Sequence, residues 1–195
     1  ARHELAPRNV LHRVLALYAD IGLQPIIPPE LELFLVQRNT DPDYPLEPPV
    51  GRSGRKETVR QPYSMDAVDE FEPFIQDIYD YCEVQRLHVD NLAHETGTAQ
   101  LEINFQHGDP VELSDQMFLF KRTVRETAMR HEIYATFMAK PMEHEPGSSM
   151  HWHISLRRAS DGSNAFSNPD GSESELFRQF IGGIQKYGPD ATLLS

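Results

Sequence analysis

Three short stretches of this chain alternate apolar and polar residues with the period of a β-strand. In PELELFLV, residues 29–36, Leu31, Leu33 and Leu35 share one face while Glu30 and Glu32 share the other. In AQLEINFQ, residues 99–106, Leu101, Ile103 and Phe105 oppose Gln100, Glu102 and Asn104. In MHWHISL, residues 150–156, the same rule sends Met150, Trp152, Ile154 and Leu156 into an apolar layer. It turns His151, His153 and Ser155 away from that layer. YATFMA, residues 134–139, reads as a further short strand.

Helical spacing fills much of the remainder. Val10, Leu11, Val14, Leu15 and Tyr18 predict a helix over 7–21, with Pro7 in its first turn and Gly22 at its stop. A second is predicted over 67–84, capped by Asp66, with Phe71, Phe74, Ile75, Ile78, Tyr79 and Cys82 on its buried face. Cys82 there reads as a small core residue rather than a nucleophile. Asp109, Pro110 and Glu112 open a third helix, which carries Leu113, Met117, Phe120, Val124 and Ala128 on one side. Leu176, Phe177, Phe180, Ile181 and Ile184 mark a last helix ending near Lys186. Residues 37–63 show no periodicity and are expected to form a long, mobile and solvated loop. Strands and helices mix without a βαβ rhythm, so the expected class is α+β with a largely antiparallel sheet.

Composition narrows the function. Lys and Arg number 18 against 30 Asp and Glu, a net charge of −12, which argues against a nucleic-acid surface and is compatible with binding cations. No apolar run approaches the roughly 18 residues that span a bilayer, and no signal-peptide pattern opens the chain, so a cytoplasmic protein without membrane contact is expected. One cysteine leaves no intrachain disulfide and no multi-thiolate metal site.

The polar strand faces carry acids, imidazoles and short amides but no lysine, unlike a merely solvated face. Were the strands neighbours, Glu30, Glu32, Glu102, His151 and Glu95 would converge. So many carboxylates would take up protons unless a cation held them. Oxygen-rich ligation with an imidazole suits Mg²⁺ or Mn²⁺ better than a structural zinc. GRSGRKET, residues 51–58, lacks the spacing of a phosphate-binding P-loop. His94-Glu95 begins the HExxH pattern of zinc hydrolases, but Thr98 stands where the second histidine belongs, so a metallohydrolase is disfavoured. His107 and His144 read as surface residues, and Arg52, Arg55, Lys56 and Arg60 as a solvated basic run.

HETGTAQLEINF, ATFMAKP, GSSMHWHISL and PELELFLV together resemble the glutamine synthetase superfamily, in the same order and at similar spacings across nearly the whole chain. GRSGRKETVRQPYSMDAVDEF and MAKPMEHEPGSSMH look most like its γ-glutamyl-polyamine synthetase branch. The resemblance implies an ATP-dependent ligase that activates the glutamate side-chain carboxylate as an acyl phosphate for attack by an amine. It further implies Glu32, Glu95 and Glu102 around one metal, and Glu30 with His151 at a second. Asp90, His153 and Ser155 would meet the nucleotide, and Gly147 the substrate glutamate. Glutamine synthetases proper usually read Asn-Gly-Ser-Gly-Met-His where this chain has Pro146-Gly147-Ser148-Ser149-Met150-His151, which favours a polyamine or other organic amine over ammonia. A non-catalytic relative is the competing reading, disfavoured because every candidate metal residue within the span is present. Measured against the family, residues 1–195 would be one partial catalytic domain. The β-grasp N-terminal domain and the C-terminal part would be absent, the isolated piece inactive, and the parent protein a ring-shaped homo-oligomer.

Overall fold

The computed structural model describes residues 3–191, which form two compact units. The larger comprises residues 28–108 and 112–152; among the described residues the smaller comprises 3–27, 109–111 and 153–191.

The larger unit is organised around β2, Pro29–Gln37, the longest strand. Along one edge β2 pairs antiparallel with β4, Gln100–Phe105, with Leu31 opposite Ile103, Leu33 opposite Leu101, and Glu32 opposite Glu102. β4 in turn pairs with β3, Val89–His94, across an irregularity between Val89 and Asn91. The other edge of β2 is shared: β6, Met150–Trp152, takes its first residues and β5, Ile133–Thr136, its last. All these ladders are antiparallel, in keeping with the expected class.

One face of this sheet is dry. Leu31, Leu33, Leu35, Leu101, Ile103 and Phe105 pack with residues of two helices, α3 (Glu72–Gln85) and α4 (Pro110–Arg130). α4 contributes the expected stripe of Leu113, Met117, Phe120, Val124 and Ala128, and α3 contributes Phe74, Ile75, Ile78 and Cys82. Phe105 and Phe120 meet edge to face, ring centroids 5.0 Å apart.

The helix expected over 67–84 is instead two. A short α2, Met65–Asp69, is capped by Ser64, whose Oγ accepts from Ala67 N at 3.3 Å, in place of the expected Asp66 cap. The chain then kinks and restarts as α3. Pro73 explains the break: it offers no N–H to the preceding turn and its ring clashes with the carbonyl four residues back.

The smaller unit pairs β1, Leu23–Ile26, with β7, Ser155–Arg158, beside α1, Pro7–Asp20. Gly22 takes φ +71°, as the stop after α1 requires. α5, Glu175–Ala191, runs past the expected end near Lys186; Ser174 caps it by accepting from Phe177 N at 3.1 Å. Phe166 packs on Phe177 and Phe180, with centroids 5.3 and 5.1 Å away.

MHWHISL is not the single strand its alternation suggests. Pairing stops where Trp152 faces Pro29 and resumes, in the smaller unit, where Ser155 faces Ile26. Pro28 and Pro29 have no N–H to extend the ladder, which explains the interruption. Trp152 is therefore not sealed in an apolar layer: it is 53% exposed, at the tip of a three-residue edge strand. Among the described residues, no helix is long and apolar enough to cross a membrane.

Candidate metal centre

The polar face of the five-stranded sheet brings the acids together by register. Glu30 lies opposite both His151 and Asn104, and Glu32 opposite Glu102, so all five side chains share one face. Glu95 joins them from just beyond β3. Two groups result, each with its ligand atoms within 4.8 Å of one another: Glu32, Glu95 and Glu102, and Glu30, Glu102 and His151. Glu102 is common to both. His151 Nδ1 lies 3.3 Å from Glu30 Oε2 and 3.7 Å from Glu32 Oε1.

Glu32 is the buried member of the set. Its Oε2 accepts from Gln100 Nε2 and from Ser149 N, both at 3.0 Å. Gln100 also donates to Gly147 O at 2.9 Å while its own oxygen accepts from Gly97 N at 2.8 Å. One buried amide thus fixes the acid and the two flanking segments. Burial drives the Glu32 carboxyl above its ordinary range. The Ser149 bond and His151 oppose that shift, and the charges of Glu95 and Glu102 add to it. A divalent cation among these oxygens would reverse the repulsion. Hard carboxylate oxygens with one imidazole form a donor set that fits Mg²⁺ or Mn²⁺.

The turn that presents Glu95 is held from behind by side chains that the strand pattern does not flag. Its three successive amides each find a side-chain oxygen: Gly97 N on Gln100, Thr98 N on Glu145 Oε2 at 3.2 Å, and Ala99 N on Glu57 Oε2 at 2.7 Å. Glu57 Oε2 also meets Nε2 of the fully buried His94 at 3.0 Å, and His94 Nδ1 donates to Glu95 O at 2.6 Å. Both ring nitrogens therefore have oxygen partners, so the buried imidazole is fixed in orientation. Burial by itself would lower the His94 pKa, but the hydrogen bond and charge of Glu57, with the Glu95 carbonyl, raise it above the ordinary value. Glu57 comes from the 37–63 segment, and no sequence period links it to His94.

That segment is also better tied than expected. Arg60 Nε reaches Glu145 Oε2 at 3.1 Å and its guanidinium bonds His144 O; Arg52 pairs with Glu72 at 2.7 Å, and Lys56 with Glu47. These basic residues serve neighbouring acids and carbonyls. Lys140 likewise donates to Glu145 O. His107 and His144 are exposed.

The other sequence candidates scatter. Asp90 sits exposed on β3. Gly147 lies where a Cβ would come 2.8 Å from Ala139 O, so only a glycine fits that backbone approach. His153, exposed in the interruption, and Ser155, at the start of β7, belong to the smaller unit and do not share the strand of His151.

The architecture agrees with comparison to known proteins. The family described as glutamine synthetase, catalytic domain, matches residues 4–195, and the chain belongs to it. Gamma-glutamylputrescine synthetase PuuA of Escherichia coli (strain K12) is 35% identical over 196 residues, covering 100% of this chain and 41% of that protein. Glutamine synthetase of Pyrococcus horikoshii is 36% identical over 186 residues, covering 95% of this chain and 39% of that protein. The solved structure of apo GmaS without ligand superposes with TM-score 0.79 at 28% identity, over 95% of this chain and 42% of that one. Plasmodium falciparum glutamine synthetase shares the fold, with TM-score 0.80 at 22% identity, over 96% of this chain and 41% of that one. The chain therefore spans about two fifths of the length of these relatives.

Proposed function

We propose that the protein containing this chain is an ATP-dependent ligase. It joins the glutamate γ-carboxylate to an amine through a γ-glutamyl phosphate. The observation that supports this reading is the convergence of Glu30, Glu32, Glu95, Glu102 and His151 on one face of the sheet, in a chain of this family. In the reaction a carboxylate oxygen of glutamate attacks the terminal phosphorus of ATP and ADP leaves. The amine nitrogen then attacks the acyl carbon, phosphate leaves, and the amine gives up a proton.

Glu32, Glu95 and Glu102 would hold one Mg²⁺ or Mn²⁺ ion, and Glu30 and His151 would contribute to a second. Such ions, when bound, neutralise charge on the phosphate oxygens during transfer. The chain's own work is positioning. Gln100 and Ser149 N hold Glu32 in one orientation, and the pairing of β2 with β4 and β6 sets the spacing of the acids. Asp90, His153 and Ser155 are proposed nucleotide contacts, and Gly147 a contact to glutamate. A cytoplasmic, ring-shaped homo-oligomer completes the reading.

For the amine, an organic amine such as a polyamine is favoured. The similarity to a gamma-glutamylputrescine synthetase covers the whole chain, and Pro146 stands where glutamine synthetases usually carry asparagine. Ammonia is the second reading, supported by the comparable identity to an archaeal glutamine synthetase. The test is ADP release by the full-length protein with ATP, glutamate and, in turn, putrescine, spermidine, a monoamine and ammonia. Release greatest with a polyamine is expected. Release greatest with ammonia would select the second reading, and release indifferent to every amine would remove both.

A further inference from the structure

Among the described residues, Glu57 is the one acid outside the polar sheet face whose side chain is both nearly sealed from water, at 7% exposure, and bonded into the turn that carries a proposed metal ligand. Its partners lie on both sides of that ligand in sequence, His94 next to it and Ala99 four residues beyond. His94 precedes Glu95 and bonds its carbonyl, while Ala99 closes the turn in a left-handed conformation, φ +53°, that a residue with a Cβ adopts only under constraint. Glu57 Oε2 holds both, at 3.0 and 2.7 Å, and its Oε1 has no hydrogen-bond partner. A buried carboxylate with one oxygen doubly engaged and the other unpartnered is costly by itself. The fold keeps it where it fixes the backbone on either side of Glu95.

We propose that Glu57 is a positioning residue for Glu95. Acting through the His94 ring and the Ala99 amide, it sets the direction in which the Glu95 carboxylate meets the cation shared with Glu32 and Glu102. The proposal rests on the metal reading above. It explains why an acid 38 positions before Glu95 in sequence must be carried by the otherwise irregular 37–63 segment: that segment supplies the rear support of the site.

Glu57→Gln preserves shape but replaces the carboxylate oxygen shared by His94 Nε2 and Ala99 N–H with a neutral, weaker acceptor; Glu57→Asp keeps the carboxylate with a shorter reach. Calorimetric titration of the 195-residue chain with Mn²⁺ should show affinity about 10-fold weaker in Glu57→Gln, the lower range for groups that orient metal ligands. Glu57→Asp should recover part of the loss, with circular dichroism confirming that each variant is folded. A folded Glu57→Gln chain that binds Mn²⁺ as tightly as the unsubstituted chain overturns the proposal while leaving the metal site standing. An unsubstituted chain that binds no Mn²⁺ overturns both. Should Glu57→Gln fail to fold, nitrogen-15 NMR of the unsubstituted chain decides. His94 ring nitrogen resonances that shift with Mg²⁺ along the binding curve support the coupling, and a ring unmoved at saturating Mg²⁺ removes it.

Discussion

Glu32 and Ser149 hold each other twice. Glu32 N donates to Ser149 O at 3.0 Å, and Ser149 N donates to the Glu32 side chain at 3.0 Å. A backbone bond and a charge-assisted bond thus fix the residue two before His151 against the most buried acid of the cluster.

Glu32→Gln tests what the charge costs without a cation. The folded-state pKa of Glu32 is raised, so its favourable contribution is complete below the ordinary carboxylate pKa of 4.5 and is lost as pH rises through the folded value. At pH 7 the ionised group is therefore a liability in the metal-free chain. The amide variant should melt a few degrees higher than the unsubstituted chain, and adding Mg²⁺ should raise the melting temperature of the unsubstituted chain by more than that of the variant, which keeps Glu30, Glu102 and His151. Scanning calorimetry with and without Mg²⁺ measures both; a lower metal-free melting temperature in Glu32→Gln would contradict the argument.

Gly97→Ala should be costly although its backbone is not in the left-handed region. An added Cβ would come 2.7 Å from both Gln100 Oε1 and the ring of the fully buried Phe34. The ring has nowhere to go, and overpacking of this kind costs about 1–3 kcal/mol. Urea denaturation provides the measurement, with an unchanged midpoint as the contrary result.

Cys82 should be chemically silent. Its thiol is buried on α3, and burial pushes its pKa up to about 11 from an ordinary 9.0. The fold therefore gains nothing from this group below pH 9 that changes with pH, and loses stability between about 9 and 11 as the unfolded thiol ionises first. Labelling by a disulfide reagent at pH 8 should follow the unfolding transition. Rapid labelling of native protein would show the thiol to be accessible.

Arg60→Ala should cost less than about 1 kcal/mol, because the guanidinium that meets Glu145 is half exposed and solvent screens the pair. The comparison in urea with Gly97→Ala separates a surface tie from a packed turn. A loss as large as that of Gly97→Ala would mean that Arg60 holds the turn through Glu145, whose Oε2 also accepts from Thr98 N.

The sheet was legible because β2 and β4 alternate cleanly, and period two states which side chains share a face. That Glu30 faces His151 and Glu32 faces Glu102 is a matter of register, which alternation constrains but does not choose. α4 was legible because its stripe is unbroken and its start carries Asp109, Pro110 and Glu112. Where periodicity misled, proline decided: Pro73 splits an apolar stripe that looks continuous, and Pro28 with Pro29 ends a ladder that MHWHISL would otherwise prolong. The contact of Glu57 with His94 was invisible because neither residue belongs to a repeating pattern with the other, and only tertiary folding brings them within 3.0 Å.

The residues that complete the polar face of β2 come from far along the chain: Gln100 lies 68 positions beyond Glu32, and Ser149 lies 117. Closing loops of that length is entropically uphill before any contact compensates, so such ladders form slowly. The helices can form from local contacts, while the acids remain apart until β2 has recruited partners from both later segments. Electrostatic crowding thus arises only at the end of folding, when the chain is already committed, and a cation that relieves it would act chiefly by slowing unfolding.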